Sequence, residues 1–399
     1  MASPHVLILV ENLPVPFDRR VWMESLALRD AGYRVSVISP CPPQHADEPD
    51  QVIEGIHVYR YPPPAPTSGK LSFIREFAYC YRETSKLCDR IWKEQPFDAI
   101  HSCNPPDTFW RIAKRYKSRG VKFVFDHHDL CPELYESKFD RRDALWRGLV
   151  WLERKQFETA DAVISTNESY RQVALSRGGK SPADVEVVRS GPMLKRFRRV
   201  EPRHELKRGR DHLIAYLGVM GPQDGVDYAL RAVRHFLDSG RTDAQFAFIG
   251  SGDEFEALQA LSRELDLESF VEFTGRISDE DLATYLSTAS IGLAPDPKNP
   301  LNDVSTMNKI IEYMAMELPV VSFDLAESKY SAADAAVYVD ANDERAFASA
   351  IAELLDDEQR RTTMGQIGRK RVEQELAWDH SRQVLVDFYD RLLRGGTRG

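Results

Sequence analysis

The sequence predicts an α/β protein of two doubly wound domains, each a parallel sheet with helices on both faces. Three observations predict it: short apolar runs alternate with helical periods, the pattern restarts near residue 211, and a basic, proline-containing stretch separates the two series. At 399 residues the chain is long for one core, and two domains of roughly 150–200 residues each are the ordinary solution.

The first series begins with "VLILV" (6–10), then "RRVWMESLALRDAG", apolar at Val21, Leu26 and Leu28 and closed by Gly32 as a C-cap. "RVSVIS" (34–39) completes a strand–helix–strand unit, and further strands are expected at 98–103, 122–128, 161–166 and 185–188. Residues 193–210, within "SGPMLKRFRRVEPRHELKRGR" (190–210), read as a basic linker between a domain at 1–192 and one at 211–378. The second series places strands at 212–218, 244–250, 271–275, 291–295 and 319–323. Helical patterns follow at 343–356, 358–375 and 379–393, and the segment 379–399 is expected to cross back onto the first domain. Facing sheets of this kind bring the carboxyl ends of their strands to a shared cleft, where ligands of open α/β sheets bind.

Composition narrows the function classes. With 42% hydrophobic and 29% charged residues the chain reads as a globular protein. The early apolar run 6–10 is too short for a signal peptide or membrane span. Five cysteines without metal-like spacing point to reduced thiols in the cytoplasm. The net charge of −9 is uneven: residues 1–200 hold 31 Lys and Arg against 26 Asp and Glu, and residues 201–399 hold 22 against 36. An acidic chain speaks against nucleic acid as partner, while a basic first half suits a peripheral contact with an anionic membrane face. In that half "RRDALWRGLVWLERK" (141–155) reads first as a buried helix and second as a membrane-surface patch.

Four segments in order carry a family resemblance: "PVPFDRRVWMESLALRDAGYRVSVI", "FDHHDLCPELYE", "YLGVMGPQDGVDYAL" and "NDVSTMNKIIEYMAMELPVV". Together they make the chain resemble a retaining glycosyltransferase of GT-B fold and family-4 (group 1) type, similar to bacterial polysaccharide and lipid-linked sugar transferases. The resemblance implies two Rossmann-like domains facing a central cleft. It implies a nucleotide-diphosphate sugar as co-substrate, UDP-linked, with no further cofactor, and a sugar or lipid-linked acceptor.

The late segment carries most of the expected site. A helix starting near Ser305 would turn its first N–H groups, at Ser305, Thr306 and Met307, toward a diphosphate. Lys309 would add a charge to the leaving phosphate. By the resemblance Glu312, the second glutamate of a Glu-x7-Glu motif, holds the ribose. The alternative for this pair is an exposed i,i+3 ion pair worth under ~1 kcal/mol. The motif's first glutamate is absent: Val304 stands there, with Asp303 one position away. Gly218 and Gly221 permit close approach of backbone to phosphate, but Val219 and Asp224 occupy places where relatives carry Arg and Lys. Arg276 lies in "FTGRIS", which resembles the segment that frames the nucleotide base; it reads equally as a cation of a surface loop. His128 and Asp129 match the family's His-Asp after a first-domain strand, with His128 at the donor sugar and His127 pointing away. Asp18 is expected to cap a helix, and Arg19 or Arg20 to reach a phosphate or serve only locally.

No DxD-like pair stands at a suitable strand end, so no metal site is expected. The resemblance implies front-face attack, with the leaving phosphate helping to deprotonate the acceptor hydroxyl. Two other readings share the architecture: a nucleotide-sugar epimerase, and a non-catalytic sugar-nucleotide-binding partner subunit.

Overall fold

The computed structural model describes residues 3–41, 50–63 and 72–395, without the side chains of residues 72–74. The chain forms two compact units, Met1–Arg189 with Ser381–Gly399, and Ser190–His380.

Among its described residues the first unit has eight strands: β1 (His5–Leu9), β2 (Arg34–Pro40), β3 (Asp50–Ile53), β4 (Ile56–Tyr61), β5 (Ala99–Cys103), β6 (Lys122–His127), β7 (Ala162–Ser165) and β8 (Val185–Val187). Their order is β3-β4-β2-β1-β5-β6-β7-β8. All pairings are parallel except β3 with β4. The parallel sheet expected from the sequence gains one antiparallel edge pairing, because the 50–61 region forms a hairpin. Its two-residue turn holds Glu54 at φ 47° and Gly55 at φ 81°, the left-handed pair that suits the twist of a tight hairpin. Every residue of β1 is buried, as a central strand covered on both faces requires. Asp18 caps the Arg19–Asp30 helix through a bond from the Val21 N–H, at 3.0 Å.

The second unit has six parallel strands: β9 (His212–Leu217), β10 (Ala244–Ile249), β11 (Val271–Gly275), β12 (Ile291–Ala294), β13 (Val320–Phe323) and β14 (Ala336–Val339). Their order is β11-β10-β9-β12-β13-β14. Strand β14 lies in the region the apolar pattern left unassigned. Phe246, Phe248 and Tyr216 are fully buried in this unit's core; each contributes roughly 1.5–3 kcal/mol by leaving water, and Phe246→Ala would cost about 3–5 kcal/mol.

Residues 193–210, read as a linker, belong to the second unit. Phe197 is buried in its core, the Val200 N–H bonds Ser287 Oγ, and Arg196 pairs with Asp279. The Trp378–Arg394 helix leaves the second unit and packs on the first from Ser381 onward, as Tyr33 Oη donates to Asp390.

The helix at Ala144–Thr159 is only half what the sequence suggested. Its C-terminal turns bury Glu153, Gln156 and Phe157, whereas Leu145 and Trp151 are 47% and 52% exposed. Among the described residues no helix is long and apolar enough to cross a membrane.

Candidate functional site

Strand order reverses between β1 and β5 in the first sheet and between β9 and β12 in the second. At such switch points the adjoining loops part and leave room for a ligand at the strands' carboxyl ends.

In the second unit the chain leaves β9 through Gly218–Gly225. A Cβ at Gly250 would come within 1.8 Å of the Gly218 carbonyl oxygen, and one at Gly225 (φ 68°) within 2.0 Å of the Pro295 oxygen. Backbones touch here because side chains are missing. Tyr313 ties the two switch strands together: its hydroxyl accepts from the Leu217 N–H at 2.6 Å and donates to the Leu293 carbonyl at 3.1 Å.

The helix expected to start near Ser305 begins at Asn308 instead and runs to Ala315. A 3-10 turn over Asn302–Val304 precedes it, and Ser305 is extended, its hydroxyl donating to the Leu301 carbonyl at 2.7 Å. Met307 is the N-cap and supplies no side-chain bond. Thr306 and Met307 therefore lead into the helix rather than form its first turn. The later start accompanies the Asn302–Val304 turn, whose backbone bonds to the Leu301 and Asn302 carbonyls end at Ser305, and Ser305 and Met307 are both extended.

Lys309 is neither exposed nor turned toward Glu312. Its ammonium lies 2.6 Å from Asp296 Oδ1, 3.9 Å from Asp224 Oδ1 and 5.0 Å from the Tyr216 ring centre. Burial alone would favour the neutral amine, but the two carboxylates overturn that and hold the pKa above its ordinary value. The cation expected to meet a phosphate already has two anionic neighbours. Asp224 also accepts from the Gly221 N–H at 3.0 Å, which holds the glycine loop closed on itself. Val219 is exposed. Glu312 is half-buried on the same helix, and Arg276 is exposed just past β11. Asp303, beside the place of the missing glutamate, is engaged locally. It accepts from the Ala326 N–H at 3.0 Å, at the start of the next helix, and pairs with Lys298.

In the first unit His128 follows the last residue of β6. Its backbone N–H and that of Asp129 both donate to Asn104 Oδ1 at 3.0 Å, and Asn104 Nδ2 returns a bond to the Asp129 carbonyl at 2.7 Å. The His128 ring places Nδ1 2.9 Å from Asp126 Oδ2 and Nε2 4.0 Å from Asp129 Oδ2. Burial favours the neutral ring, yet Asp126 and then Asp129 reverse this, and the pKa is pushed up to about 9. His127 takes the other face, its Nε2 3.2 Å from Glu153 among Phe125, Phe157 and Tyr170.

Arg20, offered above as a phosphate reader, is a buried structural cation. It donates to both Asp126 oxygens at 3.0 and 2.6 Å and to the Val188 carbonyl at 2.9 Å, and lies 3.0 Å from Glu24. Among the described residues one group, His101, Cys103 and Asp126, could offer a metal three atoms within 4.8 Å of one another. The Arg20 guanidinium already occupies both oxygens of that carboxylate, so a second cation would face a fixed positive charge. Sequence reasoning missed Asp126, Asn104 and Asp296. Each stands within two residues of a predicted strand end, the signal that could have marked them.

The chain matches two family models in order: "Glycosyl transferase 4-like domain" over residues 18–191 and "Glycosyl transferases group 1" over residues 211–357. It is similar to a phosphatidyl-myo-inositol mannosyltransferase of Mycolicibacterium smegmatis, 25% identical over 393 residues, covering 97% of this chain and 93% of that one. It is also similar to a GDP-mannose-dependent alpha-(1-6)-phosphatidylinositol monomannoside mannosyltransferase of Mycobacterium tuberculosis, 26% identical over 245 residues, or 58% of this chain and 62% of that protein. Among solved structures, sucrose-phosphate synthase from Thermosynechococcus elongatus superposes with a TM-score of 0.79 at 18% identity, over 99% of this chain and 100% of that one. With both models matched in order and the fold shared over the whole chain, the protein belongs to the group 1, family-4-type glycosyltransferases of GT-B fold.

Proposed function

We propose that the protein moves a sugar, with retention, from a nucleotide-diphosphate sugar to a hydroxyl of a sugar or lipid-linked acceptor, without a metal. The second unit binds the nucleotide: Glu312 accepts from the ribose hydroxyls, Arg276 lies by the base, and the diphosphate lies against Gly218, Gly221 and the backbone from Ser305 through Thr306 and Met307 to Lys309. The first unit contributes His128 and Asp129. In the transfer the bond from C1 to the diphosphate oxygen breaks, and a bond from C1 to the acceptor oxygen forms on the same face. The acceptor proton goes to the departing phosphate oxygen.

The observation that carries the reading is the glycine loop after β9 beside the start of the Asn308–Ala315 helix, where the N–H groups of Asn308 and Lys309 precede the helix's own bonds, the first of which runs from the Ile310 N–H to the Met307 carbonyl. Because Asp296 and Asp224 share the Lys309 charge, the helix terminus bears more of the phosphate than the sequence alone implied.

The donor nucleotide has two supported readings. The sequence resemblance puts forward UDP. The mycobacterial relative described as GDP-mannose-dependent puts forward GDP. Exposed Phe139, Leu145 and Trp151 beside Arg141, Arg147 and Arg154 support a lipid-linked acceptor and a peripheral contact with the inner membrane face.

A panel of labelled UDP- and GDP-sugars, incubated in EDTA with lipid-linked acceptors, tests the proposal. Acceptor-dependent transfer supports it. Sugar conversion without acceptor would make the protein an epimerase, and binding without turnover would make it a non-catalytic partner.

A further inference from the structure

Around His128 the first unit gathers a closed set of charges. On the ring's own segment stand Asp126, bonded to Nδ1, and Asp129, 4.0 Å from Nε2. From the Arg19–Asp30 helix come Arg20, doubly bonded to Asp126, and Glu24, fully buried. From β5 comes His101, whose Nε2 is 3.3 Å from Glu24 and 3.6 Å from Asp126, with buried Cys103 two residues on. The C-terminal helix closes the set, as the Tyr389 hydroxyl lies 2.7 Å from His101 Nδ1. Asp18, the cap of the Arg19–Asp30 helix, adds a further carboxylate near Asp129.

We propose that Asp126 is a positioning residue for His128, holding Nδ1–H so that the ring presents Nε2–H as a fixed hydrogen-bond donor and serves the reaction as a cation rather than as a base.

Geometry fixes the ring and the Nδ1 proton, and the charges around it set the second proton. A carboxylate accepts only, so the 2.9 Å contact requires the proton on Nδ1. Asn104 clamps the backbone on both sides of the peptide between His128 and Asp129, which leaves the ring little freedom to leave Asp126. Asp126 itself cannot turn, because Arg20 grips both of its oxygens. The charge balance agrees. Asp126 and Glu24 are buried against one guanidinium, so neutral imidazoles would leave buried negative charge uncompensated, and half-exposed Asp129 faces Nε2; both His101 and His128 have their pKa pushed up to about 9. A ring already holding both protons cannot take one from an acceptor hydroxyl. It can donate from Nε2 to a hydroxyl oxygen of the donor sugar, the place the sequence resemblance gives this residue. No proton is transferred through His128.

The role in transfer rests on the proposed function, whereas the state of the ring does not. Histidine-selective 15N labelling of the intact wild-type protein reads the two ring nitrogens directly, with His128 assigned by His128→Asn. Both nitrogens should be protonated at pH 7.5, and the ring should titrate near pH 9. A neutral His128 ring at pH 7.5 would overturn the proposal without the use of any functional variant. In Asp126→Asn the titration should drop by about two units or more, and kcat should fall about 10- to 100-fold with the donor KM within about two-fold of wild type. Asp126→Glu should restore part of both. Unchanged titration and turnover in folded Asp126→Asn would also overturn it. If the titration shifts as expected but no sugar nucleotide supports transfer, the positioning stands and the transferase reading fails.

Discussion

Lys309 Nζ and Asp296 Oδ1 are 2.6 Å apart, and both side chains are buried, at 8% and 2% exposure. A cation that the linear sequence offers to a phosphate is therefore held by a carboxylate thirteen residues earlier, just past the end of β12.

Removing either partner should destabilise the second unit. An uncompensated buried charge costs about 3–5 kcal/mol, whereas replacing both by apolar groups of similar volume is often neutral. We expect Asp296→Leu and Lys309→Met each to lower the urea midpoint, and the double variant to recover most of the loss. Single variants with the wild-type midpoint would show that the pair is not what holds these loops.

Glu317 follows the Asn308–Ala315 helix with φ at 57°, a left-handed conformation that costs a residue with a Cβ about 1–2 kcal/mol. Glycine removes that cost but gains about 0.4–1 kcal/mol of chain entropy in the unfolded state. Glu317→Gly should therefore be neutral to stabilising by up to ~1 kcal/mol. Thermal melts check this, and a clear loss of stability would mean that the Glu317 side chain supplies contacts worth more than the strain.

Glu11, two residues past β1, is 6% exposed, and burial pushes its pKa up to about 8, with Glu76 adding to the rise. Between about pH 4.5 and 8 the native state holds a proton that the unfolded chain has released. Stability from this group is thus whole below pH 4.5 and lost as pH rises through 8. Glu11→Gln should match wild type near pH 4.5 and exceed it at pH 9 by up to roughly 5 kcal/mol. Denaturation curves at both pH values test the sign, and an equal difference at the two would refute it.

His128 and Glu312 lie in different units, so their variants should separate. Glu312→Ala should weaken nucleotide binding about ten-fold or more, the loss of one charge-assisted bond. His128→Ala should lower turnover and leave the nucleotide dissociation constant nearly unchanged. Calorimetry with UDP and GDP, beside initial rates, decides. A ten-fold loss of nucleotide affinity in His128→Ala would assign that ring to the nucleotide instead.

The alternating apolar runs were enough to place eleven of the fourteen strands among the described residues, because parallel strands buried on both faces read as near-continuous apolar runs. The three others escaped for local reasons. β3 lies at the edge with alternating half-buried and exposed residues, β4 carries His57 and Arg60, and β14 is only half-buried. The Glu54-Gly55 turn was the available sign of the hairpin.

What the sequence by itself determined is most of the elements and the family, since periodicity and ordered motifs are properties of neighbours along the chain. Only the tertiary structure decided what each charge is for. Lys309 meets Asp296 across thirteen residues, Arg20 meets Asp126 across 106, and His101 meets Tyr389 across 288. Such partners are chosen by strand order and by where the last helix packs. In a buried site the partner, more than the residue type, sets the charge state and the work a side chain can do.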